Sequence, residues 1–248
     1  MLAESPAAPL AMHAIGALRN TLGNTTDRTF GNLLLARSPA GAAAMAALGA
    51  YLLPAQVIRE DPESAAADFA AEAAAVNAIK LVLTICDRPY LAVPHHASLP
   101  LAALVECAAR EDPSHGPGED IVSSGAIEAL CILIGYGPAP AAAVTAVGGA
   151  RMLAERLSQA SSRAGFGRGD SEEDSDSEED EENGVLVARV VNALSELFEL
   201  CPAARADAAA AGCLPALVQL LQQQLQQQGG GTLLTSVGFG FVAVQGTN

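Results

Sequence analysis

Three serines in an acidic stretch have the types and spacing that most directly suggest chemistry in this 248-residue chain. Residues 170–182 read DSEEDSDSEEDEE and hold ten acidic side chains. Ser171, Ser175 and Ser177 are each followed three residues later by an acidic residue, a pattern typical of acidophilic-kinase sites. Phosphate there would add negative charge and could recruit an arginine-rich partner. The alternative interpretation is a solvated, disordered loop, because dense like charge cannot bury a core.

Other residues that could bind a metal or a phosphate lack the spacing such sites need. His95 and His96 lie far in sequence from Cys86 and Cys107, and the five cysteines occur singly, so no zinc pattern is present. Residues 165–169, GFGRG, have the glycines of a phosphate loop, but no apolar strand precedes them. No hydrolase elbow, zinc-protease motif or nucleotide loop occurs either. We therefore expect no catalytic residue, no cofactor, no metal and no enzyme activity.

Charge and composition argue against further classes of protein. The net charge is −15, but about −5 remains once residues 170–182 are set aside, and no basic stripe is present to neutralise phosphates. This pattern predicts no direct nucleic-acid binding. The uncharged stretch at residues 38–58 is broken by prolines and glycines and is mostly alanine, so we expect no membrane span. Unpaired cysteines and the lack of a secretory signal favour a cytoplasmic or nuclear location, with an organelle transit peptide over residues 10–42 as the alternative.

The sequence predicts that helices position any functional residue. Residues 187–221 have the clearest helical pattern. Apolar residues from Val187 to Cys201 recur at the spacing that lines one helix face. Pro202 ends that helix, residues 203–211 can form a short second one, and Gly212 suits a left-handed helix end. A third helix follows from Leu214. Each helix is too short to be stable alone, so they must pack on one another and on neighbouring units.

These residues resemble the armadillo repeat. The resemblance lies in Ala193-Leu194 with Leu197-Phe198, in Arg205, and in residues 211–221, AGCLPALVQLL. Residues 14–20, AIGALRN, are similar to the third helix of that repeat. Glu196 and Ala208 depart from the pattern, since the family usually has Asn and Ile there. The resemblance implies an all-α, right-handed superhelix of armadillo-like or looser HEAT-like repeats, with a binding groove lined by the third helices.

Spacing predicts how the repeats are distributed along the chain. Gly149 and Gly212 are 63 residues apart, or 40 without an insertion of 23 residues, which is close to one period. Gly125 and Gly149 are only 24 residues apart, which predicts an irregular middle. Residues 66–86 are predicted to be another third helix and residues 87–94 an irregular connector. The predicted organisation is degenerate repeats over 8–160, a disordered acidic insertion at 161–183, a repeat at 184–228 and a low-complexity or disordered tail at 229–248.

The sequence favours a non-catalytic protein-interaction scaffold. Its partners would be proteins, with basic segments as one class that the acidic insertion could steer. One alternative is a fragment of a larger multidomain protein, because the sequence pattern starts inside a repeat. A less favoured alternative is a nuclear-import-type adaptor, since the groove of that family uses tryptophans and this chain has none. The candidate groove residues, whose alternative role is to solvate helix faces, are Arg19, Asn20, Asn77, Lys80, Asn192 and Glu196.

Overall fold

The computed structural model describes residues 8–24, 45, 48–52, 62–110, 121–166 and 177–229. Every element within these ranges is helical and none is a strand, which confirms the predicted all-α class. Residues 48–52 are helical, and a 3₁₀ turn at His96–Ser98 follows α3. The helices are α1 (Ala8–Asn24), α2 (Pro62–Cys86), α3 (Pro89–His95), α4 (Leu101–Ala109), α5 (Ile121–Gly135), α6 (Pro138–Ala146), α7 (Gly149–Phe166), α8 (Ser177–Leu200), α9 (Ala204–Ala210) and α10 (Cys213–Gly229).

Prolines and glycines set the boundaries between these helices. The short helices α3 and α6 begin at Pro89 and Pro138, a position where the missing N–H of proline has no partner to lose. Gly148 ends the turn between α6 and α7, and Gly212 ends the turn between α9 and α10. Their φ angles are +86° and +84°, in the left-handed region that glycine adopts readily. The expected helix-ending role of Gly212 is therefore confirmed.

Four helices pack side by side in what we call the first row. α1 contacts α2, α2 contacts α5, and α5 contacts α8. The buried residues Ile79 and Val82 of α2 and Leu130 of α5 belong to the continuous core beneath them. The first row thus brings together helices that are distant in sequence.

A second row covers the other side of this core. It runs from helical residues 48–52 through α4 and α7 to α10. At its beginning the Cys107 thiol donates a hydrogen bond to the Leu52 carbonyl at 3.0 Å. α4 also packs on α5 of the first row, and α7 packs on α8. In the described part of the chain, these two rows therefore lie on opposite sides of one core.

Gly125 lets two helices of the first row approach closely. A Cβ placed on Gly125 would lie 2.8 Å from Cγ1 of Ile79 and 3.4 Å from Cδ1 of Leu83, both on α2. Ile79 is fully buried, so it has little room to move aside. The glycine therefore belongs to the packing between α2 and α5.

Arg156 on α7 links the two rows by hydrogen bonds. Its Nε donates to the carbonyl of Ala108 and its Nη2 donates to the carbonyl of Arg110, both at the end of α4. Nη2 also donates to the hydroxyl of Ser123, a buried residue near the start of α5. One planar guanidinium thus satisfies three acceptors on two other helices, which a single ammonium group could not match in geometry.

One sequence-based expectation about local structure is wrong. Residues 87–94 are not an irregular connector, because α3 begins at Pro89 and runs to His95. Gly125 lies inside α5, whereas Gly149 is the first residue of α7. The 24-residue spacing from Gly125 to Gly149 therefore compares two positions that are not equivalent, and the irregular middle stays a prediction.

The interval 161–183, which was predicted to be a disordered acidic insertion, is helical at both of its ends. α7 continues to Phe166, and α8 begins at Ser177, so the backbone is helical at both ends of that interval. Acidic residues are favourable in the first turn of a helix because they face its positive end, which is consistent with a start inside the acidic run. Residues 167–176 lie outside the described residues, as do residues 230–248 of the predicted tail.

Candidate functional site

Three of the predicted groove residues meet where α1 packs on α2. Nη1 of Arg19 on α1 donates a hydrogen bond to Oδ1 of Asn77 on α2 at 3.2 Å. Nη2 of Arg19 donates to Oδ1 of Asn20 at 3.1 Å. Lys80 follows Asn77 by nearly one helical turn and is exposed. This end of the first row therefore presents two cationic side chains and two amides close together.

The other two predicted residues line a cleft between α5 and α8. Asn192 and Glu196 are four residues apart on α8, so both side chains lie on the same face of that helix. The cleft has a volume of about 420 Å³ and is open to solvent. Its lining comes from these two neighbouring helices of the first row: Glu128, Cys131, Ile132, Gly135 and Tyr136 from α5 and the turn after it, and Arg189, Asn192, Ala193 and Glu196 from α8.

The charged groups of the cleft give it a negative balance. Nη1 of Arg189 lies 2.6 Å from Oε1 of Glu128, forming an ion pair across the cleft. Both side chains are at least 38 % exposed, so this pair contributes little to stability. Glu196 adds a second carboxylate to the lining. With two carboxylates against one guanidinium, the cleft suits a ligand group that is positively charged.

Gly135 helps to place the carboxylate of Glu196. A Cβ on Gly135 would lie 3.2 Å from Oε2 of Glu196, a separation tighter than most such contacts. Because glycine has no side chain here, the carboxylate can lie over the end of α5. The position of Glu196 in the cleft therefore depends on a residue in the neighbouring helix.

The remaining cleft residues are suited to packing rather than to covalent chemistry. Burial raises the pKa of the Cys131 thiol to about 12, with Arg189 lowering it and Glu128 raising it further. A thiol with so high a pKa is almost entirely protonated at neutral pH and is a poor nucleophile. The Tyr136 hydroxyl donates to the carbonyl of Cys86 at 2.6 Å, which ties the end of α5 to the end of α2.

None of the other candidate residues singled out from the sequence whose positions are described lines this cleft. Ser171 and Ser175 lie outside the described residues, and Ser177 is the first residue of α8. Their phosphorylation stays a prediction. Nδ1 of His96 lies 2.8 Å from the carbonyl of Val93, within its own turn. Among the described residues, no group of three or more histidine, cysteine or acidic side chains is placed to hold a metal ion.

Seven of the nine residues that line the cleft were not among the candidates from the sequence, and four of them carry a charged group, a thiol or a hydroxyl: Glu128, Cys131, Tyr136 and Arg189. A signal for three of them was present. Glu128, Cys131 and Gly135 recur at helical spacing on α5, and Arg189 precedes Asn192 by three residues on α8. This spacing places each residue on a helix face, but only the contact between α5 and α8 shows that the two faces meet.

The described part of the chain contains no helix that is both long enough and apolar enough to cross a membrane. Comparisons of the chain with protein-family models, with curated proteins and with solved structures found no match.

Proposed function

We propose that this chain is a non-catalytic protein-interaction scaffold that binds an extended, basic segment of a partner protein along its first row. The observation that carries the proposal is the cleft between α5 and α8. It is open, about 420 Å³ in volume, and lined by two carboxylates, one guanidinium and one amide. A cleft of this kind can seat the side chain of a lysine or an arginine.

We further propose that the two rows form a right-handed, armadillo-like superhelix. The order of the helices supports this, since a short helix is followed by a helix of the second row and then by one of the first row. α3, α4 and α5 follow this order, and α6, α7 and α8 repeat it. α9 and α10 begin it again, and the turns before α7 and α10 both use a glycine with positive φ.

The partner would be recognised through its backbone as well as its charge. Asn20, Asn77 and Asn192 carry amides on the first row, and an amide can both donate to and accept from an extended peptide backbone. The acidic side chains of the cleft would select a basic residue at one position. The acidic run at 170–182 would raise the rate at which basic partners meet the protein, without contributing sequence specificity.

The test uses a library of random 12-residue peptides displayed on phage, selected against the full chain. We expect the selected peptides to be enriched in lysine and arginine. The dissociation constant of a selected synthetic peptide should rise by about tenfold or more in Glu196→Lys, because the substitution replaces a carboxylate that attracts the basic peptide with a cation that repels it.

Glu199→Lys is the matched control. Glu199 lies on the same helix, is exposed and makes the same change of charge, but it does not line the cleft. It should bind the peptide nearly as well as the original chain at physiological salt. Selection of peptides without basic residues, or an equal loss of binding in the two variants, would show that the cleft is not the binding site.

A further inference from the structure

The last helix of the second row, α10, has apolar side chains on two faces. Cys213 and Ala216 are buried, and Leu217 and Leu220 pack against the core on the same side. Nε2 of Gln219 donates to the carbonyl of Ser161 at 2.9 Å, which fixes that face of α10 against α7. α10 is therefore firmly placed by one of its faces.

The second face carries what we call the apolar strip, formed by Leu214, Val218 and Leu221. These side chains are 64 %, 53 % and 63 % exposed. Their spacing of four and then three residues places them in one line about 10 Å long. Most of the large exposed hydrophobic residues described elsewhere are isolated, whereas these three form a continuous surface on one helix. Burial of such a continuous apolar surface under another segment or molecule is favourable.

The residues that follow α10 have a sequence suited to packing on the apolar strip. α10 ends at Gly229, which is followed by two more glycines, and three consecutive glycines allow the chain to reverse direction. Residues 232–244, TLLTSVGFGFVAV, contain no charged side chain. These residues lie outside the described ones, and their sequence alternates apolar side chains at Val237, Phe239 and Phe241.

The segment at residues 232–244 is long enough to reach the apolar strip, and it carries no charged side chain that would oppose burial there. The middle of the strip lies eleven residues before Gly229, or about 16 Å back along the helix. Thirteen residues can span about 43 Å when extended. In an extended chain, residues 237, 239 and 241 would point to one side over about 13 Å, close to the length of the strip. No charged residue occurs from 208 to 248, so nothing charged would be buried.

The small size of the strip favours a tethered segment over a separate molecule. Three partly exposed side chains are far less than the roughly 1,000 Å² that a stable interface between separate proteins buries. A segment joined to the helix by a few residues is present at an effective concentration in the millimolar range, so a small contact suffices. A second copy of the chain has no such advantage.

We infer that residues 232–244 bind back onto the apolar strip and cover the outer face of α10. The terminal helix of the second row then has a partner on both faces. This contact is independent of the cleft between α5 and α8, because it lies in the other row. It would protect the end of the array from associating with other apolar surfaces.

The test compares the full chain with its Phe239→Asp/Phe241→Asp variant by hydrogen exchange of the amides in residues 213–221. We expect these amides to exchange roughly tenfold faster in the variant, the factor that loss of about one apolar side chain's burial would give. Gln245→Asp/Thr247→Asp is the control, since it adds the same charge to the tail outside residues 232–244. It should leave the exchange rate unchanged.

A variant of the strip keeps the test decisive. In Leu221→Asp, whose position is exposed and whose substitution does not disturb the core, the tail variant should cause no further acceleration, because the contact is already lost. Equal exchange in the full chain and the tail variant would overturn the inference. Protection that rises with protein concentration, together with a dimer in sedimentation, would overturn it as well, because a second copy would then cover the strip.

Discussion

Replacing Gly125 by alanine tests whether α2 and α5 are packed as closely as described. Two effects oppose each other. Alanine is favoured over glycine inside a helix by about 1 kcal/mol. The new Cβ would lie 2.8 Å from Cγ1 of Ile79, a buried side chain whose branched Cβ restricts its rotation. Overpacking of this kind costs about 1 to 3 kcal/mol. We therefore expect Gly125→Ala to destabilise the protein by about 1 kcal/mol.

Gly184→Ala is the matched control, because it makes the same substitution inside α8 with nothing within 4 Å of the new Cβ. It should stabilise the protein by about 1 kcal/mol, so the two variants should move in opposite directions. Urea unfolding followed by far-UV circular dichroism measures both shifts. Gly125→Ala combined with Ile79→Ala should cost less than the sum of the two single changes, since the clash disappears. Equal stabilisation by both alanines would refute the close packing of α2 on α5.

Two further predictions concern side chains of the core. Arg156→Ala should lower the free energy of unfolding by about 3 kcal/mol in urea titrations, because it removes the donor of three hydrogen bonds. Arg156→Lys should restore less than half of that loss, since one ammonium group cannot reach all three acceptors. Full rescue by lysine would contradict the role of the planar guanidinium. Burial raises the pKa of Cys86 from 9.0 to about 12. At a pH between these two pKa values, the unfolded chain loses the thiol proton while the folded chain keeps it. The free energy of unfolding, measured at successive pH values, should therefore fall from about pH 9 upward. In Cys86→Ala it should fall less steeply.

The sequence was most informative where local chemistry alone decides the structure. The end of α8 before Pro202, the short helix α9 and the positive φ of Gly212 all follow from properties of single residues. Helical spacing of apolar residues likewise identified α1 and α2. These features need no knowledge of distant contacts, so they could be predicted.

Features that depend on neighbours in space could not be predicted in the same way. Gly125 is required by the side chain of Ile79, which is 46 residues away, and nothing in the sequence around Gly125 indicates this contact. The ion pair between Glu128 and Arg189 also joins two residues that are 61 positions apart in sequence. Helical spacing could have placed each residue on a face, but only the packing of α5 on α8 shows that the two faces meet.

If the first row binds an extended peptide, as proposed, the side-by-side order of its helices sets the length of ligand that the protein accommodates. Neighbouring packed helices are about 8 to 10 Å apart, so the three steps from α1 to α8 span roughly 30 Å. An extended peptide advances about 3.3 Å per residue, so about nine residues would cover that distance. Asn77 on α2 and Glu196 on α8 are two such steps apart, or about 16 to 20 Å, so a ligand of about three residues could touch the amides near Asn77 or the carboxylate of Glu196, but not both. The protein would therefore distinguish its partners by the spacing between two recognition points as well as by their charge.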